Sequence, residues 1–349
     1  MEEQAKTRIL KQINYLEKNK DTLTMDADTH PSLIEEISEK VLKPYRETPN
    51  YYHGRPASPE EQIKEMKLAD VDTCLIWQNP ATTLYGDDEE KNFKALLSAN
   101  IQMKEISEKY PHKFIPAGWT DPKALGTDLA GQLAEKLVKE YGFFIVKMNP
   151  AQNKFPMDGE QVIKVTDQIV KLGAIPAFHY GSDTPYTPAE ALEKIARRHK
   201  DTPVLAAHMG GGGASYEEAD EQYIKSRELG LRCPNIRFIM SAKRDTHIES
   251  DLIAYQKAGE PFCKNLFCGS DYPYGKMTWN FGGFRWLFEG LKQGSGHPDP
   301  RIRNNPELFD DHVIQNFMGR NFAEFIIEGY KHLLQEQGYS YPSSLKMDL

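Results

Sequence analysis

The chain has 349 residues, 39% of them hydrophobic and 27% charged, with a formal net charge of −8. That composition is globular, with material for a sizeable core, and the acidic balance without a long basic run argues against nucleic acid and anionic membranes as partners. No apolar run reaches the eighteen or more residues of a membrane span.

The N-terminal stretch, MEEQAKTRILKQINYLEKNK, is polar, with Ile9, Leu10, Ile13 and Leu16 at helical spacing. It reads as a docked helix and not as a targeting peptide. The first β-prone run follows at 23–28 and leads into MDADTH, residues 25–30. Alternation gives Asp26, Asp28 and His30 one facing, so nearness to the strand end decides between the two aspartates. Further short β-rich runs fall at 71–77, 113–118, 143–148, 174–179, 203–208, 236–241 and 265–270. Helical patterns separate them. Ser58, Pro59 and Glu61 form a capping-box start, and Thr187 with Glu190 repeats the device. The segment from Tyr272 to about Asn305 reads as a long loop rich in Gly, Pro and aromatics. Gly210 to Gly213 lack the lysine and spacing of a phosphate loop. Cys74, Cys233, Cys263 and Cys268 form no C-x-x-C pair, which points away from disulfides and toward the cytoplasm.

Eight β runs alternating with helices predict a single-domain (β/α)8 barrel, of the TIM type, over 23–338, with a helical extension at 1–22 and a tail at 339–349. In that fold functional groups sit at the C-terminal strand ends. Strand one ends in Asp28 and His30, strand four passes through Lys147, strand five ends in His179, strand six in His208 and strand eight in Asp271. Each has a simpler reading: a strand-end histidine is often a hydrogen-bonded rim residue, and Asp271 alone would serve as a helix N-cap. The convergence of five strands on one rim favours a shared metal site.

These motifs resemble the amidohydrolase superfamily, in the amidohydrolase-related branch that includes aminocarboxymuconate semialdehyde decarboxylase. The resemblance rests on VKMNP (146–150), FHYG (178–181), AHMGG (207–211), GSDYP (269–273) and GRNFAEFI (319–326), in that order. The family usually opens with a His-x-His pair, and Asp28 and His30 stand in those places here. The resemblance implies one divalent metal ion, zinc or manganese, held by Asp28, His30, His179 and Asp271. It implies Asp271 as proton shuttle and His208 as the group polarising a substrate carbonyl. Lys147 is either carbamylated between two metals, as in binuclear relatives, or a structural or substrate-facing lysine; the mononuclear character of this branch favours the second. His53, Arg55, Trp77, Asn79, Lys147, Tyr180 and Arg244 are the expected substrate contacts, with arginine suited to a carboxylate. The expected activity is metal-dependent hydrolysis of an amide, lactone or similar carbonyl compound. Non-oxidative decarboxylation of an aromatic or enol acid is the alternative, and a non-catalytic metabolite-binding barrel ranks third. The expected partner is a small-molecule substrate such as a carboxylate; a homodimer is compatible with this reading.

Overall fold

The computed structural model describes residues 1–339 apart from 49–50, 182–184 and 212–218. The expected tail beyond residue 339 and the second half of the Gly210–Gly213 run lie outside the described residues.

Eight parallel strands form where apolar runs alternate with turns. They span Met25–Thr29, Thr73–Ile76, an interrupted third strand (Phe114–Pro116 and Gly118–Trp119), Ile145–Met148, Ile175–His179, Val204–Ala207, Ile236–Ile239 and Leu266–Phe267. Each agrees with its predicted run to within a few residues. The third strand changes partner at Ala117. Its first half pairs with strand two, its second half with strand four through Gly118–Val146 and Trp119–Lys147. The Ala117 N–H still reaches Ile76 O at 2.9 Å. Strand one meets strand eight through Ala27 N–H to Cys268 O (2.9 Å), His30 N–H to Tyr272 O (2.7 Å) and a parallel bridge between Thr29 and Tyr272. The strands therefore join edge to edge around a (β/α)8 barrel.

Helices cover the outer face, and apolar side chains fill the layer between. Phe144 on the way into strand four packs on Phe325 and Tyr330 of the Asn321–Glu336 helix, and Phe267 on Phe322 and Phe325. The Glu3–Asn19 helix forms as its spacing predicts, burying Ile9, Ile13 and Leu16. It lies across the N-terminal strand ends. Gln12 Nε2 donates to Phe114 O (2.8 Å), Arg8 to Tyr141 O (2.7 Å), and Tyr330 Oη donates to Gln12 Oε1 (2.9 Å).

Ser58 and Glu61 make the reciprocal capping box that starts Pro59–Ala69. Thr187 does not repeat it. The helix there runs Ala189–Arg198 without a side-chain cap, because the Thr187 hydroxyl donates to Gly181 O and ties down the loop after strand five. The stretch after Tyr272 is also more ordered than expected, with a helix at Met277–Leu291. Phe281, Phe284, Leu287, Phe288 and Leu291 bury at helical spacing, which outweighs three glycines facing open space. No helix among the described residues is long and apolar enough to cross a membrane.

Candidate metal centre

Strand one sends Asp28 and His30 into the barrel mouth, and the end of strand eight sends Asp271 toward them. One ligand-type atom from each lies within 4.8 Å of the other two. His30 Nε2 stands 3.6 Å from Asp28 Oδ1 and 3.4 Å from Asp271 Oδ1. The His30 ring is oriented from behind by Nδ1–H donating to Gln78 O at 2.9 Å, which leaves Nε2 with its lone pair toward the carboxylates. Asp271 holds a left-handed backbone (φ 57°), unusual for a residue with a side chain, and its carbonyl accepts from the N–H groups of Tyr274 (2.6 Å) and Gly275 (2.9 Å).

Asp28 is fully buried and receives donors from two sides: Trp77 Nε1–H on Oδ1 at 2.8 Å, and Ser241 Oγ–H on Oδ2 at 2.7 Å. Burial alone would raise its pKa. The Lys147 charge, 3.6 Å away, and the His30 interaction outweigh that and hold it well below the usual carboxylate range. For His30 burial works the other way, yet the two carboxylates raise its pKa. Asp26 lies deeper. Its carboxylate accepts from the N–H groups of Asp28 (3.1 Å) and Ser270 (2.9 Å), and burial pushes its pKa up to about 7. Asp26 thus braces the seam between strands one and eight, and Asp28 faces the mouth.

His179 is not in the group of three. Its Nδ1 lies 3.1 Å from His208 Nε2, and His208 Nδ1 lies 2.9 Å from Ser241 Oγ. The donor count sets the protons along this row. Ionised Asp28 only accepts, so Ser241 donates to it and accepts from His208 Nδ1–H. His208 Nε2 then accepts from His179 Nδ1–H, and the lone pair of His179 remains on Nε2. Burial lowers the pKa of both imidazoles, which keeps them neutral. His208 has no N–H left for a substrate carbonyl in this arrangement, contrary to the role expected for it.

The expected substrate contacts divide. Lys147 lies in the lumen between the faces of Trp77 (4.3 Å) and Trp119 (5.2 Å). Asn79 Oδ1 accepts from Tyr274 Oη at 2.9 Å, and the Tyr274 ring lies edge-on to His30 and His53. His53 is exposed, its Nδ1 2.9 Å from Tyr274 O. Trp77 is fully buried and acts on Asp28, not on a ligand. Arg55 donates from Nη2 to the carbonyls of Tyr45 (2.5 Å) and Thr48 (3.1 Å), which anchors the group in the loop after strand one. Arg244 sits half-buried at the start of the Asp245–Ala258 helix. Tyr180 is excluded from the mouth. It follows inward-facing His179 by one residue, so it points outward, its ring near Phe238 and its hydroxyl 3.1 Å from Ser226 Oγ. Ser241 was missed by the sequence reading. Its place at the end of the predicted 236–241 run was the available signal.

Three solved structures illustrate the likeness in fold. A 2,6-dihydroxybenzoate decarboxylase complexed with 2,6-dihydroxybenzoate aligns with TM-score 0.59 at 13% identity, over 88% of this chain and 99% of that one. A dihydroxybenzoic acid decarboxylase from Polaromonas sp. JS666, with bound manganese and the inhibitor 2-nitroresorcinol, gives 0.57 at 12%, over 88% and 97%. The 5-carboxyvanillate decarboxylase of Sphingomonas paucimobilis gives 0.57 at 15%, over 87% and 98%. At these identities the likeness speaks for the fold. No curated protein matches the chain in sequence. The family model described as Amidohydrolase matches residues 80–302, beginning after the strand that carries Asp28 and His30. With that match over more than half its length, the chain belongs to the amidohydrolase family.

Proposed function

We propose that the chain is a metal-dependent, non-oxidative decarboxylase of a small carboxylic acid. This reverses the order expected from the sequence, where hydrolysis came first. The observation that carries it is the ligand group itself: two carboxylates and one imidazole, with aspartate where relatives have the first histidine. Such an oxygen-rich set suits manganese, the harder of the two expected ions, ahead of zinc, and an acid that brings its own oxygens. The decarboxylases among the similar folds, one of them with bound manganese, support the same reading.

The donor set fits a metal. Asp28, His30 and Asp271 would hold it, Asp28 oriented by Trp77 and Ser241 and His30 by Gln78 O, and His179 is proposed as a fourth ligand because its Nε2 lone pair is uncommitted. A divalent ion there polarises the oxygens of the bound acid. The two carboxylates divide the remaining work by exposure. Asp28 is sealed and already accepts two hydrogen bonds, so it serves as a ligand alone. Asp271 keeps 16% of its side chain accessible, which suits a group that exchanges a proton with the substrate. Asp271, ionised when the acid binds, takes up a proton from a substrate hydroxyl or from solvent; the bond between substrate carbon and carboxylate breaks, carbon dioxide leaves, and Asp271 returns that proton to the vacated carbon, ending ionised again. Neutral His208, held by Ser241, positions His179. The catalytic unit proposed is the barrel of residues 23–338, with residues 1–22 as a structural cap. The described thiols, none in a disulfide, support a cytoplasmic setting.

The test incubates the protein with aromatic and enol carboxylic acids under manganese or zinc and measures carbon dioxide, beside a panel of amides and lactones. Carbon dioxide release that drops about a hundredfold or more in Asp271→Asn is the expected result. Hydrolysis of the second panel with no carbon dioxide from the first would restore hydrolysis as the activity, in keeping with the family's own description.

A further inference from the structure

Lys147 is 1% exposed, yet no hydrogen bond forms at its ammonium among the described residues. The Asp28 Oδ1 charge stands at 3.6 Å, beyond hydrogen-bond reach, and two indole faces lie against the ammonium. Cation–π contact attenuates the loss of water but supplies no acceptor. A buried ammonium with no acceptor in hydrogen-bond reach among the described residues is suited to one that arrives from elsewhere.

Asp28 is a poor candidate for that acceptor. Both its oxygens are taken at 2.7–2.8 Å by Ser241 and Trp77, and the metal reading commits it further. Lys147 then becomes a second cation beside a divalent one, an arrangement that repels unless an anion lies between. The charges are two plus one from the metal and Lys147, against one each from Asp28 and Asp271. One positive charge remains. Arg55, expected to meet a carboxylate, is anchored through Nη2 to the carbonyls of Tyr45 and Thr48, and no contact places it beside Asp28, His30 or Asp271 among the described residues.

We propose that Lys147 is the residue that reads the substrate's negative charge, with an oxygen of a singly charged acid accepting from its Nζ, and that it selects monocarboxylates over neutral and doubly charged analogues. The inference rests on the acid-substrate reading above.

The experiment measures binding, not turnover. Trp279 and Trp286 are exposed, so a Trp279→Phe/Trp286→Phe background leaves the fluorescence of Trp77 and Trp119, the two rings against Lys147. Benzoate, benzamide and phthalate are titrated into this protein loaded with manganese. Benzoate should bind on the order of tenfold tighter than benzamide or phthalate. Lys147→Met should erase that preference while metal content and benzamide binding stay unchanged, and Lys147→Arg should restore part of it. Three results overturn the inference: no preference for benzoate in the starting protein, undiminished benzoate binding in Lys147→Met, or loss of the metal in that variant, which would make Lys147 a support for Asp28. Preferential benzoate binding without carbon dioxide release from any acid keeps the inference and removes the decarboxylase reading.

Discussion

Trp77 and Ser241 grip the two oxygens of Asp28 from opposite sides, so the carboxylate is oriented before any ion reaches it. Partners of this kind typically carry ten- to a hundredfold in metal affinity. Trp77→Phe keeps most of the ring volume and removes the one donor. Its manganese or zinc affinity should fall by about ten- to a hundredfold in a chelator competition, with the fold intact by circular dichroism. Unchanged affinity would reduce Trp77 to packing. At this scale the sequence was readable where chemistry and strand position coincide, as at Asp28, His30, Lys147 and Asp271. It was unreadable where a role depends on which way a side chain turns. Trp77 and Tyr180 both suggest an aromatic wall for a substrate. One faces a ligand carboxylate and the other the helix layer, and a single step in strand alternation separates His179 from Tyr180.

The strands were legible because short apolar runs between turns have few other uses, and the Ser58 capping box because its partners lie three residues apart. Thr187 shows the limit of local pattern: a hydroxyl with a cap's spacing was claimed by Gly181 O across the loop. The late helix was hidden for the opposite reason, since glycines at 282, 283 and 290 obscured an aromatic period. Another glycine sets a close approach that no periodicity predicts. Asn316–Arg320 forms a π-helical turn ahead of the last helix, and a Cβ on Gly319 would lie 1.8 Å from Leu23 O. Backbone cannot yield there as a flexible side chain would. Gly319→Ala should therefore lower stability by about 1–3 kcal/mol, read as a reduced urea midpoint at unchanged m-value. A midpoint equal to the parent's would show that the turn shifts freely.

The barrel as a whole depends on its N-terminal cap. Ile9, Ile13 and Leu16 are fully buried, each contributing about 1.5–3 kcal/mol, and Gln12 and Arg8 satisfy carbonyls at the bases of strands three and four. The sum is comparable with the roughly 5–15 kcal/mol of a typical domain. Removing residues 1–22 should leave a chain that fails to give a cooperative thermal transition. A truncated protein melting within about 5 °C of the parent would show the helix to be an appendage. The sequence disclosed that this helix is amphipathic, not which end of the barrel it closes, because its polar partners are backbone carbonyls far away along the chain. Lys6 Nζ stands 5.0 Å from the Tyr339 ring, beneath the strands and on the opposite side from Asp28 and Asp271. A tether or bead coupled to a side chain of the Glu3–Asn19 helix pulls on the floor of the barrel and leaves the mouth clear for diffusing molecules.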